Sequence, residues 1–186
     1  SDKSGIVNPR RDHVLIGKER HDIGRPHDWG YPIRGIVKDG MLYLKNDEPG
    51  RWPAGNPETG YLNCDGSPTK TAILELRRDG KQEQFWQWAF GKRAAEELYA
   101  IQDDPECMQN LASLPKYESI KNALKEQLHA ELTAQKDPRV LGNGAVFEAY
   151  QYSDPRTRNF YQRYMKGDAP QAGWVNESDF ESGPLD

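Results

Sequence analysis

The sequence predicts an α+β fold in which a small antiparallel sheet packs against one long helix near the C-terminus. Two β-prone runs, 31–38 and 41–44, flank the pair Asp39-Gly40, which is the strongest short-range signal for a β-hairpin in this chain. The segment 115–134 instead repeats apolar residues every three or four positions, as an amphipathic helix does. A length of 186 residues suits one ordinary domain, and 17 glycines and 13 prolines fit a fold with many loops.

The first strand is predicted just before a polar loop. Residues 12–16, DHVLI, are interpreted as a short buried strand that ends at Gly17. The segment 18–30 is polar and is interrupted by glycine and proline, which predicts a loop. The hairpin follows directly, and its first strand alternates side chains between two faces.

Two short helices are predicted after a long loop at 45–66. The first begins at Ser67, whose side chain can cap the helix ahead of Pro68, and it ends at Gly80. The second spans 82–90. The residues predicted to anchor the two helices are Ala72, Ile73 and Leu76 in the first, and Phe85, Trp86 and Trp88 in the second.

The last strand and the long helix complete the predicted core. Residues 97–101 alternate and are predicted to join the sheet. The apolar stripe predicted for the helix at 115–134 consists of Tyr117, Ile120, Leu124, Leu128 and Leu132. The opposite face is predicted to be solvated and carries Lys121, Lys125 and Glu131. An irregular tail is predicted over about 137–186.

Composition limits the classes of partner. A formal net charge of −4 argues against nucleic acid, because nucleic-acid-binding domains usually present an excess of Lys and Arg. No apolar run approaches the ~20 residues that span a bilayer, so no membrane partner is predicted. Cys64 and Cys107 have the chemistry to pair, but two cysteines do not make a disulfide framework, and their pairing stays open.

The first candidate binding site is the stretch Gly17–His21 after the first strand. Lys18 and Arg20 provide donors for an anionic group such as sulfate, with Glu19 between them. His21 can hydrogen-bond a sugar hydroxyl or transfer a proton near neutral pH. The alternative is a solvated surface turn, because charged residues after strands are common.

The second candidate is the pair Arg51 and Trp52 in a loop rich in glycine and proline. An indole offers a flat apolar face on which a sugar ring stacks, and the neighbouring guanidinium neutralises an anion. The pair is therefore a candidate site for a sulfated sugar. The alternative is that Trp52 folds back as a lid on the local core.

Cys64 and a group of His and Asp residues are weaker candidates. Cys64 lies three residues before Ser67, so a thiol activated by a helix N-terminus is conceivable, but a capping loop explains the same residues. Metal-ligand sets sometimes resemble the loop that holds His21, Asp22, His27 and Asp28, yet zinc sites more often use tighter spacings. No metal site and no catalytic residue is predicted on this chain.

Several stretches together, and in this order, resemble the C-terminal part of sulfatases of the alkaline-phosphatase-like superfamily. Residues 31–36, YPIRGI, and 41–44, MLYL, resemble the hairpin that opens the small C-terminal sheet of that family. Residues 97–105, ELYAIQDDP, with NLA at 110–112, resemble the signature that leads from the last strand to the C-terminal helix. The stretches GKERH, YPIR, RWPAG, DGSPTK and GKRAAEELY resemble the heparan N-sulfatase-like branch.

The resemblance implies that residues 1–186 form a sulfatase C-terminal subdomain that lacks the N-terminal catalytic subdomain. It implies a whole protein, periplasmic or secreted, that hydrolyses sulfate esters or sulfamates of sugars derived from glycosaminoglycans. Calcium and a formylglycine residue are expected in that whole protein. The C/S-x-P-x-R motif that yields formylglycine does not occur in this sequence, so no cofactor is expected here and the chain alone is expected to be inactive.

The resemblance also implies partners. These are the sulfated sugar and either the N-terminal subdomain or a second copy bound through an exposed sheet face. Two functions from other classes stay open. One is a non-catalytic carbohydrate-binding or interaction module, and the other is an unrelated hydrolase that uses Cys64.

Overall fold

A four-stranded antiparallel sheet and a long helix form the centre of the fold, which confirms the predicted α+β class. The computed structural model describes residues 11–168 and 170–185. The strands follow chain order across the sheet and each pairs antiparallel with its neighbour. They are β1 His13–Lys18, β2 Ile33–Lys38, β3 Met41–Asn46 and β4 Glu96–Ala100.

The predicted hairpin between β2 and β3 is confirmed. Lys38 lies opposite Met41, so Asp39 and Gly40 form a two-residue turn. Both have positive φ, 49° and 73°, as the favoured hairpin turn requires. The Asp-Gly pair therefore fixes the register of the two central strands.

Helix α3, Glu118–Ala134, covers one face of the sheet. Leu124, Leu128 and Leu132 lie four residues apart on its buried side. They belong to the same core cluster as Ile36, Tyr43 and Leu98, which occupy matched positions in β2, β3 and β4. The stripe is narrower than predicted, because Ile120 is 41% exposed.

The face of α3 that was predicted to be solvated is instead tied to the sheet and its neighbours. Lys121 donates a hydrogen bond to the Ala112 carbonyl at 3.0 Å. Lys125 pairs with Glu96 at 2.9 Å, and Glu131 with His13 at 2.8 Å. The prediction holds for Lys125, which is exposed, but not for Lys121 and Glu131, which are half-buried. Periodicity gives no view of partners that are far away in the sequence.

The prediction that the first strand is buried was also wrong. β1 is an edge strand with Val14 60% exposed and Ile16 40% exposed. Both side chains lie on the sheet face opposite α3. Only Leu15 packs against the α3 core.

Helices α1, Pro68–Arg78, and α2, Glu83–Phe90, form where the sequence predicts them. The Ser67 side chain accepts a hydrogen bond from the Lys70 backbone N–H, as expected for an N-cap. Their buried faces differ from the prediction. The buried residues are Lys70 and Leu74 in α1 and Trp86 and Phe90 in α2, whereas Ala72, Phe85 and Trp88 are exposed.

The segment after α3 packs along the long loop that precedes α1. Phe160 is fully buried with Ile23 and Leu62. Farther along, Asp179 forms a buried ion pair with Lys70 at 3.1 Å. The short helices here are α4 Ala145–Glu148 and α5 Phe160–Met165, and 3-10 turns lie at Pro26–Asp28, Pro57–Thr59, Pro115–Tyr117 and Glu177–Asp179. Within 11–168 and 170–185, no helix has the length and apolar character needed to cross a membrane.

Candidate functional site

Lys18, the last residue of β1, reaches a cavity between the sheet and α1. Its ammonium lies 5.6 Å from the centre of the Tyr31 ring. None of the described carboxylates lies within ion-pair distance of it. Burial, together with the nearby Arg25 charge, lowers the pKa of Lys18. Lys18 is therefore a half-buried cation that the described part of the chain does not neutralise.

Glu19 and Arg20, the next two residues, serve contacts within the protein. Glu19 accepts from Arg34 at 2.5 Å and from Arg139 at 2.7 Å. Arg20 donates to the backbone carbonyls of Asp28 and Tyr150, both at 3.0 Å. The loop is thus fixed from both sides, and Lys18 and His21 are left as the residues of this stretch that line the cavity.

The cavity has a volume of about 410 Å³ and mixes polar and apolar groups. A volume of this size lies within the range of small-molecule sites. Besides Lys18 and His21, its lining includes Asn63, Cys64, Ser67, Thr69 and Lys70 on the polar side and Pro53, Ala54, Ile73, Ala89 and Phe90 on the apolar side.

Arg25 lies beneath this lining and is only 1% exposed. Its Nε donates to the Trp52 carbonyl at 2.7 Å and its Nη2 to the Pro53 carbonyl at 2.8 Å. Its Nη1 donates to Asn63 Oδ1 at 3.4 Å. Burial, with a contribution from Arg51, lowers the pKa of Arg25 to about 10. The guanidinium is thus hydrogen-bonded by neutral groups.

Asn63 joins Arg25 to the cavity. Its Oδ1 accepts from Arg25 at the edge of the lining. Its Nδ2 atom is buried and has no acceptor within the described residues. A buried donor without an acceptor is uncommon in proteins and destabilising.

Arg51 and Trp52 lie apart from the cavity lining. Trp52 is 6% exposed and packs edge-on against Trp86, with ring centroids 5.8 Å apart. Arg51 pairs with Glu148 at 2.9 Å and lies 4.7 Å above the Trp29 ring. This geometry matches the alternative in which Trp52 covers the local core.

Cys64 shares the cavity with His21, and Cys107 lines a separate groove on the sheet. Both are free thiols. Burial raises the pKa of Cys64, although Lys70 opposes the shift. A thiol that stays protonated near neutral pH is a poor nucleophile, so the chemistry expected of this cavity is binding by its cations and amide.

The residues that suggested a metal-ligand set make other contacts. His27 packs on Trp29 with centroids 4.8 Å apart, and Asp28 accepts the Asn159 backbone N–H at 2.7 Å. Asp22 accepts from Tyr152 at 3.2 Å. In the ranges 11–168 and 170–185, no three His, Cys, Asp or Glu side chains converge as a metal site would require.

A second concave surface of about 500 Å³ lies on the sheet face opposite α3. Half-buried Ile33, Leu42 and Leu44 contribute to it, and Glu97 provides a buried carboxylate. Glu97 accepts from Asn46 at 3.2 Å and from the Tyr99 hydroxyl at 3.1 Å. This open sheet face is apolar and has a polar end. Surfaces that pack against another protein segment have the same character.

Sequence reasoning predicted Lys18 and His21 as contact residues, and the structure places both at the cavity, but it did not single out Arg25 and Asn63. Both lie in loops. Arg25 is distinguished by having no carboxylate partner among the described residues, and Asn63 by a side-chain nitrogen that has no acceptor there. Only the structure shows these two properties. The run that contains Arg25, GRPHDWG, reads as an ordinary loop. Asn63 lies near the end of the long loop, and its contact with Arg25 is visible only in the structure.

Comparison with known proteins gives one match. No protein-family model matches the chain. An ulvan-active sulfatase of Formosa agariphila is 36% identical over 135 residues, which are 70% of this chain and 20% of that protein. The chain therefore spans about a fifth of the length of the curated relative it matches. The similarity supports a sulfatase region in this chain but gives no support for the narrower heparan N-sulfatase-like branch.

Proposed function

We propose that this chain is the C-terminal portion of a sulfatase that acts on sulfated sugars, and that it supplies part of the substrate pocket. The observation that carries the proposal is the similarity to a sulfatase over 135 residues. The fold agrees with it, because the resemblance implies a small antiparallel sheet covered by a long helix. Within the chain, Lys18 and His21 are the residues proposed to contact the substrate.

Lys18 binds an anionic group of the sugar, and His21 hydrogen-bonds a sugar hydroxyl near the scissile bond. A half-buried ammonium suits this role, since an ion pair gains strength when water is partly excluded. The side chains of Glu19 and Arg20 hold the loop in place through Arg34, Arg139 and two backbone carbonyls. Pre-positioning of this kind lowers the entropy lost on binding.

The hydrolytic step belongs to residues outside this chain in the proposal. The family resemblance implies a calcium ion and a formylglycine residue. This sequence contains no C/S-x-P-x-R motif, and its described residues offer no three-ligand cluster for a cation. Both groups are therefore proposed for the larger catalytic part of the whole protein, with a glycosaminoglycan-derived sugar as the finer substrate proposal.

The open sheet face is proposed to be the surface that meets the catalytic part, or a second copy when that part is missing. It carries the exposed Val14 and Ile16 together with Leu42 and Leu44. Gly35 lets the neighbouring strands meet across β2, since a Cβ there would lie 3.0 Å from Ile16 Cγ1 and 2.7 Å from Leu44 Cδ2. Continuous exposed apolar surface of this type marks an interaction site.

The experiment compares this chain with the full-length protein on aryl sulfates and sulfated disaccharides. We expect turnover by the full-length protein and none by the chain, because the groups that stabilise charge in the transition state are proposed to lie outside it. Activity of the chain that scales with its concentration through further purification would contradict the division of roles. A full-length protein that binds sulfated sugar without turnover would favour the carbohydrate-binding module instead.

A further inference from the structure

Trp88 on α2 is an exposed aromatic residue that lines the concave surface on the open sheet face. Its side chain is 47% exposed, whereas Trp86, two positions earlier, is 7% exposed. Phe85 packs edge-on against Trp88, with ring centroids 5.7 Å apart, and is also exposed. Burial of a large aromatic side chain is strongly favourable. An indole left open beside a concave surface is therefore suited to contact a bound group.

Two cations that follow α2, Lys92 and Arg93, line the same surface. The Lys92 ammonium lies 4.7 Å from the centre of the Trp52 ring, and Arg93 donates a hydrogen bond to the Trp88 carbonyl. Within the described chain neither cation has a carboxylate at ion-pair distance. Because an ammonium has three N–H donors and a guanidinium five, both side chains keep donors for a ligand.

The polar end of this surface is unlike the centre of a protein interface. Its carboxylates are Glu97, which is buried and accepts from Asn46 and Tyr99, and Glu106, which is exposed. With Lys18 included, the lining holds three cations and these two carboxylates. Lys and Glu are depleted at the centre of protein interfaces. The polar end therefore favours a small hydrated ligand over a protein segment.

This end of the surface adjoins the cavity between the sheet and α1, because Lys18 and Pro53 line both. A ligand with one group at Lys18 can therefore extend past Pro53 toward Trp88. A sugar chain has the matching chemistry. The face of a pyranose ring presents C–H groups to an aromatic ring, and its rim presents hydroxyls to charged donors.

We propose that Trp88 forms a sugar-stacking subsite, in which a pyranose ring of the substrate packs on the indole and Lys92 and Arg93 donate hydrogen bonds to its oxygens. The inference rests on the proposed function, since it takes the sugar at Lys18 as one contact and adds a second along the chain. The substrate is then an oligosaccharide that reaches from the cavity to α2, rather than a single sulfated sugar.

The test uses the 186-residue chain with chondroitin sulfate and heparan sulfate, each as a disaccharide and as a hexasaccharide. Two-dimensional NMR follows the indole N–H of Trp88, which the Trp88→Phe variant assigns among the five tryptophans. We expect saturable shifts of that signal with at least one hexasaccharide. The matching disaccharide should bind about 10-fold more weakly, because it lacks the ring that stacks. Equal affinity for the disaccharide, or no shift with either hexasaccharide, would overturn the proposal.

Calorimetry on variants of the chain separates stacking from other contacts. Trp88→Ala should weaken hexasaccharide binding by about 5- to 20-fold, as for loss of one aromatic contact. Trp88→Tyr keeps an aromatic face and should stay within about 3-fold of wild type. Lys92→Gln should weaken binding by about 2- to 5-fold, as for an exposed charged contact. A Trp88→Tyr variant as weak as Trp88→Ala would show that the contact is not stacking.

Met165→Ala is the matched control. Met165 is 49% exposed, close to the value for Trp88, and lines neither concave surface. The change should leave hexasaccharide binding unaltered. Unaltered binding in Trp88→Ala, or an equal loss in Met165→Ala, would refute the subsite.

The two proposals fail separately. Binding is measured on the chain without turnover, so an inactive full-length protein would remove the proposed sulfatase function and leave the subsite standing. An active full-length sulfatase whose kcat/KM for the hexasaccharide is unaffected by Trp88→Ala would remove the subsite and leave the function.

Discussion

At the scale of single residues, the charges around β1 divide into paired and unpaired groups. Glu19 forms ion pairs with both Arg34 and Arg139. Arg34 also pairs with Asp137 at 2.8 Å. Lys18, one position away from Glu19, has no such partner among the residues that the structure describes. Adjacent charged residues thus differ in their role, and their partners decide which role each takes.

Lys18 and His21 should matter for activity and little for stability in the full-length protein. Replacing either with Ala should lower kcat/KM by about 10- to 1000-fold, the range for losing one charge-assisted or acid–base contact. Stability should change by less than ~0.5 kcal/mol for His21, which is exposed. Lys18 is half-buried but has no ion-pair partner among the described residues, so its loss should also change stability little. Steady-state kinetics and urea unfolding of the same samples measure both quantities.

The control for that comparison follows from the structure. Lys121 is unsuitable, because its ammonium bonds the Ala112 carbonyl. Lys136→Ala, at an exposed position, should change neither quantity. Full activity in the Lys18 and His21 variants would show that the stretch is structural.

His13 should make stability depend on pH. Hydrogen bonds with Asp12 and then Glu131 raise the pKa of His13. Its folded pKa exceeds the unfolded value, so the stabilisation is complete below about pH 6.5 and is lost as pH rises through the folded pKa. Lys38 and Gln127 face the same group, and a hydrogen bond to His13 helps to lower the pKa of Asp12 to about 2.

The measurement compares wild type with His13→Gln by urea unfolding at pH 5.5 and pH 8.5. We expect the wild-type advantage to be larger at pH 5.5, where His13 is protonated in both states. An advantage that is independent of pH, or larger at pH 8.5, would show that the ion pairs of His13 do not contribute to stability.

At the scale of elements, prediction succeeded where the signal is local. The Asp39-Gly40 turn and the Ser67 cap depend on residues within a few positions of each other, and both form as expected. Which side chains of β1 and α2 are exposed depends on the distant segments that pack against these elements. Trp86 packs in a core cluster with Trp52 and Tyr61, and its indole donates a hydrogen bond to the Tyr61 hydroxyl at 3.0 Å, whereas Trp88 is 47% exposed. Aromatic character alone does not separate these two residues.

The same limit applies to the site. Lys18 and His21 were predicted because basic residues after a strand suggest an anion site, and both line the cavity. Arg25 and Asn63 were missed because their importance lies in unpaired charge and an unfilled hydrogen bond. Those properties are defined by distances to every other polar group, so no local pattern contains them.

Substitutions in helix α3 test which residues of its apolar stripe stabilise the core. Leu128→Ala should destabilise the protein by about 2–5 kcal/mol, because it leaves a cavity between helix and sheet. Ile120→Ala should cost less than about 1 kcal/mol, since Ile120 is 41% exposed. Chemical denaturation of both variants measures the difference. Similar losses would mean that Ile120 is covered in solution.

At the scale of the whole molecule, α3 covers one side of the sheet and leaves the other open. Val14, Ile16 and Leu44 contribute to that side, and Glu97 lies buried near its edge. Contiguous exposed apolar surface of this kind marks interaction sites in other proteins. In the proposed sulfatase, the partner at this face is the catalytic part.

The chain alone should therefore self-associate. Sedimentation equilibrium should show a mass that rises above the monomer value with concentration, because the open face has no other partner in such a sample. Val14→Lys with Ile16→Lys should suppress association without unfolding, since both positions are exposed. Glu177→Lys, an exposed change away from the sheet, serves as the control. A wild-type chain that stays monomeric at high concentration would contradict the prediction.

The packing of the final segment against the early loop also has a consequence during synthesis. Asp28 accepts a hydrogen bond from Asn159, 131 positions later in the chain. Ile23 and Leu62 are buried in one cluster with Phe160. While the ribosome is still translating the middle of the chain, these loops have none of their final neighbours, and their apolar residues remain open to chaperones. Contacts so distant in sequence slow folding, so we expect the walls of the cavity beside Lys18 to become ordered late in the folding of the newly made protein.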